Sequence, residues 1–162
     1  MTELGTVNNG AAVMTTWLFG LANPTSGDVV ITGDTSLAAQ VFVSHYQGVA
    51  QTSSTGTFAS ATGSSTAPSV AVTSAVNELV VDGAGWVAGG VGTAGAGQTQ
   101  RAQEEQGDVF RMGTSDEAGA ASVTMSWTVD TGGWTIQGVP LKPVAAAGAT
   151  NPHSTLLLMG VG

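Results

Sequence analysis

The stretch SVTMSWTV, residues 122–129, decides the fold class of this chain. Val123, Met125, Trp127 and Val129 alternate strictly with serine and threonine. Because successive side chains of a strand point to opposite faces, the pattern predicts an antiparallel strand with one face in a core and one in water. We expect the apolar set to be buried and the Ser/Thr set to be more exposed.

The stretches that flank this strand predict more strands. A turn at 130–133 leads into an apolar stretch at 134–141, which predicts a β-hairpin formed with 122–129. Residues 98–112 are polar and charged, as is typical of an exposed edge strand, and the Ser/Thr/Gly-rich residues 51–67 are expected to form a long loop. Further strands are predicted at 13–21, 28–32, 39–47, 69–73, 78–82 and 154–161.

This pattern predicts an all-β protein, an antiparallel jelly-roll β-sandwich of about eight or nine strands. Helix-favouring residues are scarce, and 24 glycines would interrupt most helical windows. We expect a sandwich domain at 1–143, a small-residue linker at 144–153 and a C-terminal strand or arm at 154–162.

Composition restricts the partners. The chain has 162 residues, no cysteine and a net charge of −8. An acidic protein is a poor ligand for nucleic acid or for an anionic membrane, so neither is expected as a partner. The first ten residues lack the basic and apolar regions of a secretory signal, and no apolar run is long enough to span a membrane. We therefore expect synthesis in the cytoplasm.

Several short motifs between positions 12 and 143 carry a resemblance to a known kind of domain. They are Trp17-Leu18, Asn23-Pro24, Tyr46-Gln47-Gly48-Val49, Met125-Ser126-Trp127-Thr128 and Leu141-Lys142-Pro143. Together they resemble an uncharacterised bacterial and phage family of jelly-roll surface domains, similar to concanavalin-A-like β-sandwiches. The resemblance implies the fold and supplies no catalytic residues. Compared with that family, the chain is expected to lack a first strand and to add one at the C-terminus.

Candidate catalytic and metal-binding residues are few. His45 lies in an apolar stretch and is interpreted as a hydrogen-bonded sheet residue, not a catalytic base. Glu104 and Glu105 are adjacent, so in a strand they point to opposite faces and cannot form a glycosidase pair. With Asp108 they offer the oxygen ligands that calcium prefers, but the spacing matches no calcium loop. A solvated acidic edge and no cofactor are expected, with calcium as the alternative.

The tryptophans and the C-terminal residues are the remaining candidates for ligand binding and for subunit contacts. Trp17 and Trp127 share strand faces with apolar residues and are predicted to be in the core, whereas Trp86 lies in a glycine-rich stretch and is predicted to be a ligand-facing aromatic residue. A run of large apolar residues in 154–161 is predicted to add to a sheet edge or to lie in a subunit interface. These interface residues are Leu156, Leu157, Leu158 and Met159.

Three functions are compatible with these features. The leading hypothesis is a non-enzymatic structural protein of a surface assembly, most concretely a phage virion accessory protein, either capsid decoration or tail-associated. Its partners would be other copies of the chain or a capsid or tail protein, and its location the virion or an extracellular surface. The alternative is a lectin-like carbohydrate-binding module, and a glycan-active enzyme comes last.

Overall fold

The computed structural model describes residues 1–10, 14–24, 30, 39–87, 89–106 and 110–145, except for the side chains of 105 and 106. This part of the chain contains antiparallel strands and no helix, so none that could span a membrane, and the predicted all-β class is confirmed. The ten strands are β1 (Thr2–Asn9), β2 (Met14–Gly20), β3 (Ala59–Ser65), β4 (Ser69–Thr73), β5 (Leu79–Val87), β6 (Thr93–Ala94), β7 (Thr99–Gln106), β8 (Phe110–Ala118), β9 (Ser122–Thr128) and β10 (Gly132–Leu141).

The strands form a sandwich with one small additional sheet. A five-stranded sheet of order β3-β10-β5-β8-β7 faces a three-stranded sheet of order β4-β9-β6, and β1 pairs with β2 alone. The predicted antiparallel β-sandwich is therefore confirmed. Its core lies between the two larger sheets, and its buried apolar residues are Val70, Val72, Val80, Ala84, Trp86, Val123, Met125, Trp127, Val129, Trp134 and Ile136.

The register predicted for β9 is confirmed. Val123, Met125 and Trp127 are buried, whereas Ser122, Thr124 and Thr128 on the opposite face are exposed and Ser126 is half-buried. Burial of the apolar face stabilises the fold by the hydrophobic effect, which is roughly 1.5–3 kcal/mol for each large apolar side chain. This strand is the centre of the three-stranded sheet, and it contributes Val123, Met125 and Trp127 to the core.

The predicted hairpin between 122–129 and 134–141 is wrong. β9 pairs with β4 and β6, whereas β10 pairs with β3 and β5 in the other sheet. The turn therefore carries the chain across the sandwich and not back along the same sheet. Both strands direct an apolar face into one interior, and two such strands can stand opposite each other across the core as readily as side by side.

Of the other strand predictions, some are confirmed and some are wrong. The strand at 69–73 is confirmed, the one at 78–82 continues to Val87, and β7 is an edge strand as expected. Three expectations are wrong, because 51–67 contains β3, residues 39–47 form no strand, and β1 occupies the N-terminus that was expected to lack a strand. The strand predicted at 28–32 lies outside the described residues except for the exposed Val30, and 154–161 lies outside them entirely.

Two further pieces of chain contact the five-stranded sheet, one on its outer face, which points away from the core, and one along its edge. The β1–β2 sheet, here called the N-terminal hairpin, lies over β10, β3 and β5. The segment 48–58 runs beside the end of β10, where Gly56 N donates to Pro140 O at 2.9 Å and Lys142 N donates to Ser54 O at 2.8 Å. These two pieces define the surface on which the candidate site lies.

Candidate functional site

The N-terminal hairpin is fixed to the five-stranded sheet by polar contacts at its base. Asn9 Nδ2 donates to Trp134 O at 3.0 Å and to Gly63 O at 2.9 Å. Thr16 Oγ1 donates to Thr135 Oγ1 at 3.1 Å in a buried position. Buried hydrogen bonds of this kind hold the hairpin in one orientation, because breaking them would leave polar groups without water or partner.

The inward face of the hairpin packs closely on a glycine. A Cβ atom built on Gly85 would lie 3.1 Å from both Met14 Sδ and Thr16 Cγ2, so the absence of a side chain there permits the approach. Met14 and Thr16 are buried in consequence. Because side chains alternate along a strand, this packing directs the intervening residues of β2 into solvent.

The outward face of β2 and the residue that follows the strand carry three large apolar side chains, here called the exposed row. Trp17 is 52% exposed, Phe19 is 50% exposed and Leu21 is 54% exposed. The prediction that Trp17 belongs to the core is therefore wrong: the alternating pattern was right, but the smaller residues face the protein. Opposite the row on β1, Thr6 pairs with Trp17 and Glu3 pairs with Phe19. The result is an apolar row bordered by polar groups, an arrangement typical of an interaction surface.

Trp86 does not form part of any surface site. It is completely buried, and its ring centroid lies 5.8 Å from that of Trp127. Its indole nitrogen donates to Gly90 O at 3.4 Å. The prediction of a ligand-facing aromatic residue is thus wrong, because the glycine-rich stretch belongs to the central strand β5, where even-numbered residues face the core. Of the four tryptophans, Trp17 is the one that is exposed.

A buried carboxylate that the sequence analysis missed lies between the sheets. Asp82 Oδ1 accepts hydrogen bonds from Ser115 N at 2.7 Å and Ser115 Oγ at 2.8 Å, and Oδ2 accepts one from Trp127 Nε1 at 2.9 Å. Burial raises the pKa of Asp82 to about 6, although these hydrogen bonds lower it. A perturbed carboxylate can mark an active site. Here it is only 4% exposed, so it is out of reach of a substrate.

A second charged cluster joins segment 39–50 to the sheet. Arg101 Nη2 donates to Asp116 Oδ1 at 2.9 Å and its Nε contacts Asp116 Oδ2, while the Tyr46 hydroxyl donates to the same Oδ2 at 3.3 Å. Burial, and then the charge of Asp116, raise the pKa of Tyr46. Because Asp116 accepts from both residues, this cluster fixes the segment to the sheet.

A shallow cleft lies beside this cluster at the end of the sheet. Its volume is about 130 Å³, less than that of typical small-molecule sites. It contains no carboxylate, and Lys142 is its one charged side chain among the described residues. Its lining consists of Tyr46, Gln47, Gly48, Val49, Asn77, Leu79, Leu141, Lys142 and Pro143.

The predicted catalytic and metal-binding residues are not brought together in the described part of the chain. His45 is exposed on an irregular segment instead of paired in a sheet, and Glu104 is exposed on β7. The side chain of Glu105 and all of Asp108 lie outside the described residues, as do Leu156, Leu157, Leu158 and Met159. Within the described ranges no three acidic or histidine side chains cluster as metal ligands. The calcium alternative and the C-terminal interface stay predictions.

Comparison with known proteins adds little. No protein-family model matches the sequence, and no curated protein matches it significantly. Among solved structures, the chain is similar to one from the tripod of the baseplate of bacteriophage Tuc2009. The TM-score is 0.38 at 11% identity, over 75% of this chain and 84% of that chain. A likeness this slight establishes neither a shared fold nor a shared role.

Proposed function

We propose that this chain is a non-enzymatic structural protein that packs against other subunits of a surface assembly. The observation that carries the proposal is the exposed row of Trp17, Phe19 and Leu21 on the N-terminal hairpin. Half-exposed aromatic side chains are costly to leave in water, and Trp in particular is enriched at the centres of protein interfaces. A neighbouring subunit would remove the row from solvent.

The specific form of the proposal is an accessory protein of a phage virion, in a capsid-decorating or tail-associated position. The resemblance of the sequence to bacterial and phage surface domains suggests this setting. The absence of enzymatic activity is part of the proposal: the perturbed carboxylate Asp82 is sealed in the core, and Asp116 is held by Arg101 and Tyr46. Both carboxylates are almost completely buried, which supports this part of the proposal.

Light scattering coupled to gel filtration tests the assembly role. The full chain is expected to form an oligomer of defined mass, and Trp17→Ser combined with Phe19→Ser is expected to reduce that mass while the fold is retained. A matched control is Val41→Ser with Val43→Ser, since both valines are also exposed. A full chain that stays monomeric at all concentrations, or loss of the oligomer in the control as well, would overturn the proposal.

A carbohydrate-binding role is the second candidate, and one observation favours it. Trp17 and Phe19 lie two residues apart on one strand face, so their rings are roughly 7 Å apart along the strand and could stack on neighbouring sugar rings of a glycan. Glycan binding would alter the emission of Trp17, and Trp17→Ser would abolish the response. If neither the wild type nor the control valine variant binds any polysaccharide of a panel, the carbohydrate-binding role is eliminated.

A further inference from the structure

The exposed row needs an apolar partner that carries no negative charge. The chain has a net charge of −8, and Glu3 lies beside Phe19 at the row itself. Two copies that approach through their acidic surfaces would repel each other. The best-matched occupant is therefore a segment that is both strongly apolar and uncharged.

The C-terminal segment has both properties and contains the longest run of large apolar residues in the sequence. Residues 143–162 carry no Asp, Glu, Lys or Arg, and they include four consecutive large apolar residues, Leu156, Leu157, Leu158 and Met159. The exposed row offers three large apolar side chains in return. Matching apolar area without opposing charge is what association of two acidic copies requires.

The point at which the chain leaves the sandwich supports the same pairing. Val144 N donates to Gly48 O at 2.7 Å, so the chain leaves the sheet beside segment 48–58. The Phe58 ring at the far end of that segment lies against Gly5 of the N-terminal hairpin, where an added Cβ would be 2.6 Å from the ring. From Ala145, the roughly ten residues that precede Leu156 can span on the order of 33 Å when extended.

We infer that residues 156–159 of one copy bind the exposed row of a neighbouring copy. This inference rests on the proposed assembly function and names the contact that would drive it. The contact is between copies because the proposed assembly requires an attraction that exceeds the repulsion between acidic copies. A contact within a single chain would cover the exposed row and would supply no such attraction. Exchange of such a segment around a ring, or between two partners, closes an assembly without further surfaces.

Two full-length variants test the inference. The hairpin variant carries Trp17→Ser and Phe19→Ser. The tail variant carries Leu156→Ser, Leu157→Ser, Leu158→Ser and Met159→Ser. Each alone is expected to be monomeric by sedimentation velocity, with an unchanged melting temperature. A mixture of the two is expected to recover one contact per pair and to give a heterodimer, because the tail of the hairpin variant meets the intact row of the tail variant. Val41→Ser with Val43→Ser is the matched control and should assemble like the wild type.

Fluorescence quenching gives an independent readout. Trp86, Trp127 and Trp134 are buried, so quenching by acrylamide reports mainly on Trp17. In the tail variant, acrylamide is expected to quench at least twofold more strongly than in the assembled wild type. Assembly that persists in the tail variant overturns the inference but leaves the proposed function standing, and so does a mixture that stays monomeric. Assembly that persists in the hairpin variant overturns both, because both rest on the exposed row. A monomeric wild type overturns the proposed function itself.

Discussion

Asp82 is predicted to make this protein more stable in mild acid than at neutral pH. Its carboxylate is almost completely removed from water, and burial raises its pKa to about 6 from an ordinary value of 3.8. Hydrogen bonds from Ser115 and Trp127 favour the ionised form but offset the effect of burial only in part. The folded chain therefore binds this proton more tightly than the unfolded chain does.

The sign and size of the effect follow from that difference. A group whose pKa is raised by folding stabilises the fold fully at pH values below its unfolded pKa, and this contribution is lost as the pH rises through the folded pKa. For the values above, proton linkage predicts that the free energy of unfolding increases by about 1.4 kcal/mol between pH 7.5 and pH 5. Most of the change should occur between about pH 6.5 and pH 5.

Urea unfolding followed by tryptophan fluorescence measures this change directly. The matched control is Asp82→Asn, which cannot titrate. It is expected to be less stable at every pH, because its amide nitrogen would face the donor Trp127 Nε1. The quantity compared is the change in the free energy of unfolding with pH, and only the wild type should gain about 1.4 kcal/mol on acidification. Equal slopes for the two proteins, or a wild type that weakens towards pH 5 relative to the control, would refute the reasoning.

Three further predictions concern packing. Trp127→Ala should reduce the free energy of unfolding by about 3–5 kcal/mol in urea titrations, and a loss below 1 kcal/mol would contradict its place in the core. Gly113→Ala should destabilise by about 1–3 kcal/mol, since an added Cβ would lie 2.5 Å from the Trp127 ring; an unchanged melting temperature would contradict this packing. Gln137→Met should stabilise by about 1–2 kcal/mol, because the buried amide of Gln137 has no hydrogen-bond partner among the described residues. A destabilised Gln137→Met would mean that the amide is satisfied.

The parts of the fold that the sequence predicts are those where one face is apolar and the other polar. β9 is the clearest case, since its alternation identifies both the strand and its register, and β4 at 69–73 follows the same rule. β5 is partly predicted, because the glycines at 83 and 85 make its second half resemble a loop. Those glycines lie in a central strand, where they let Met14 and Thr16 approach at Gly85.

The elements that were missed have no such pattern. β1 and β3 are made largely of Thr, Ser, Asn, Gly and Ala, so no alternation distinguishes them from loops. Strand pairing also cannot be predicted from these patterns. The apolar residues of β9 and β10 indicate only that each strand has a buried face, whether the two strands are neighbours in one sheet or lie opposite each other across the core. Asp82 could not be recognised as buried for a related reason: its partners Ser115 and Trp127 come from strands whose order only the topology defines.

The candidate site was missed because the wrong face of β2 was predicted to be buried. Both faces of this strand carry apolar residues, so alternation alone cannot decide which face is buried. The five-stranded sheet beneath determines which face is buried, because Gly85 and Thr135 leave space for slender side chains such as Thr16 but not for an indole. Trp17 and Phe19 are thereby directed outwards, although burying them would contribute more free energy than burying Met14 and Thr16. A fold that holds its larger apolar face in solvent in this way keeps that face available for a partner.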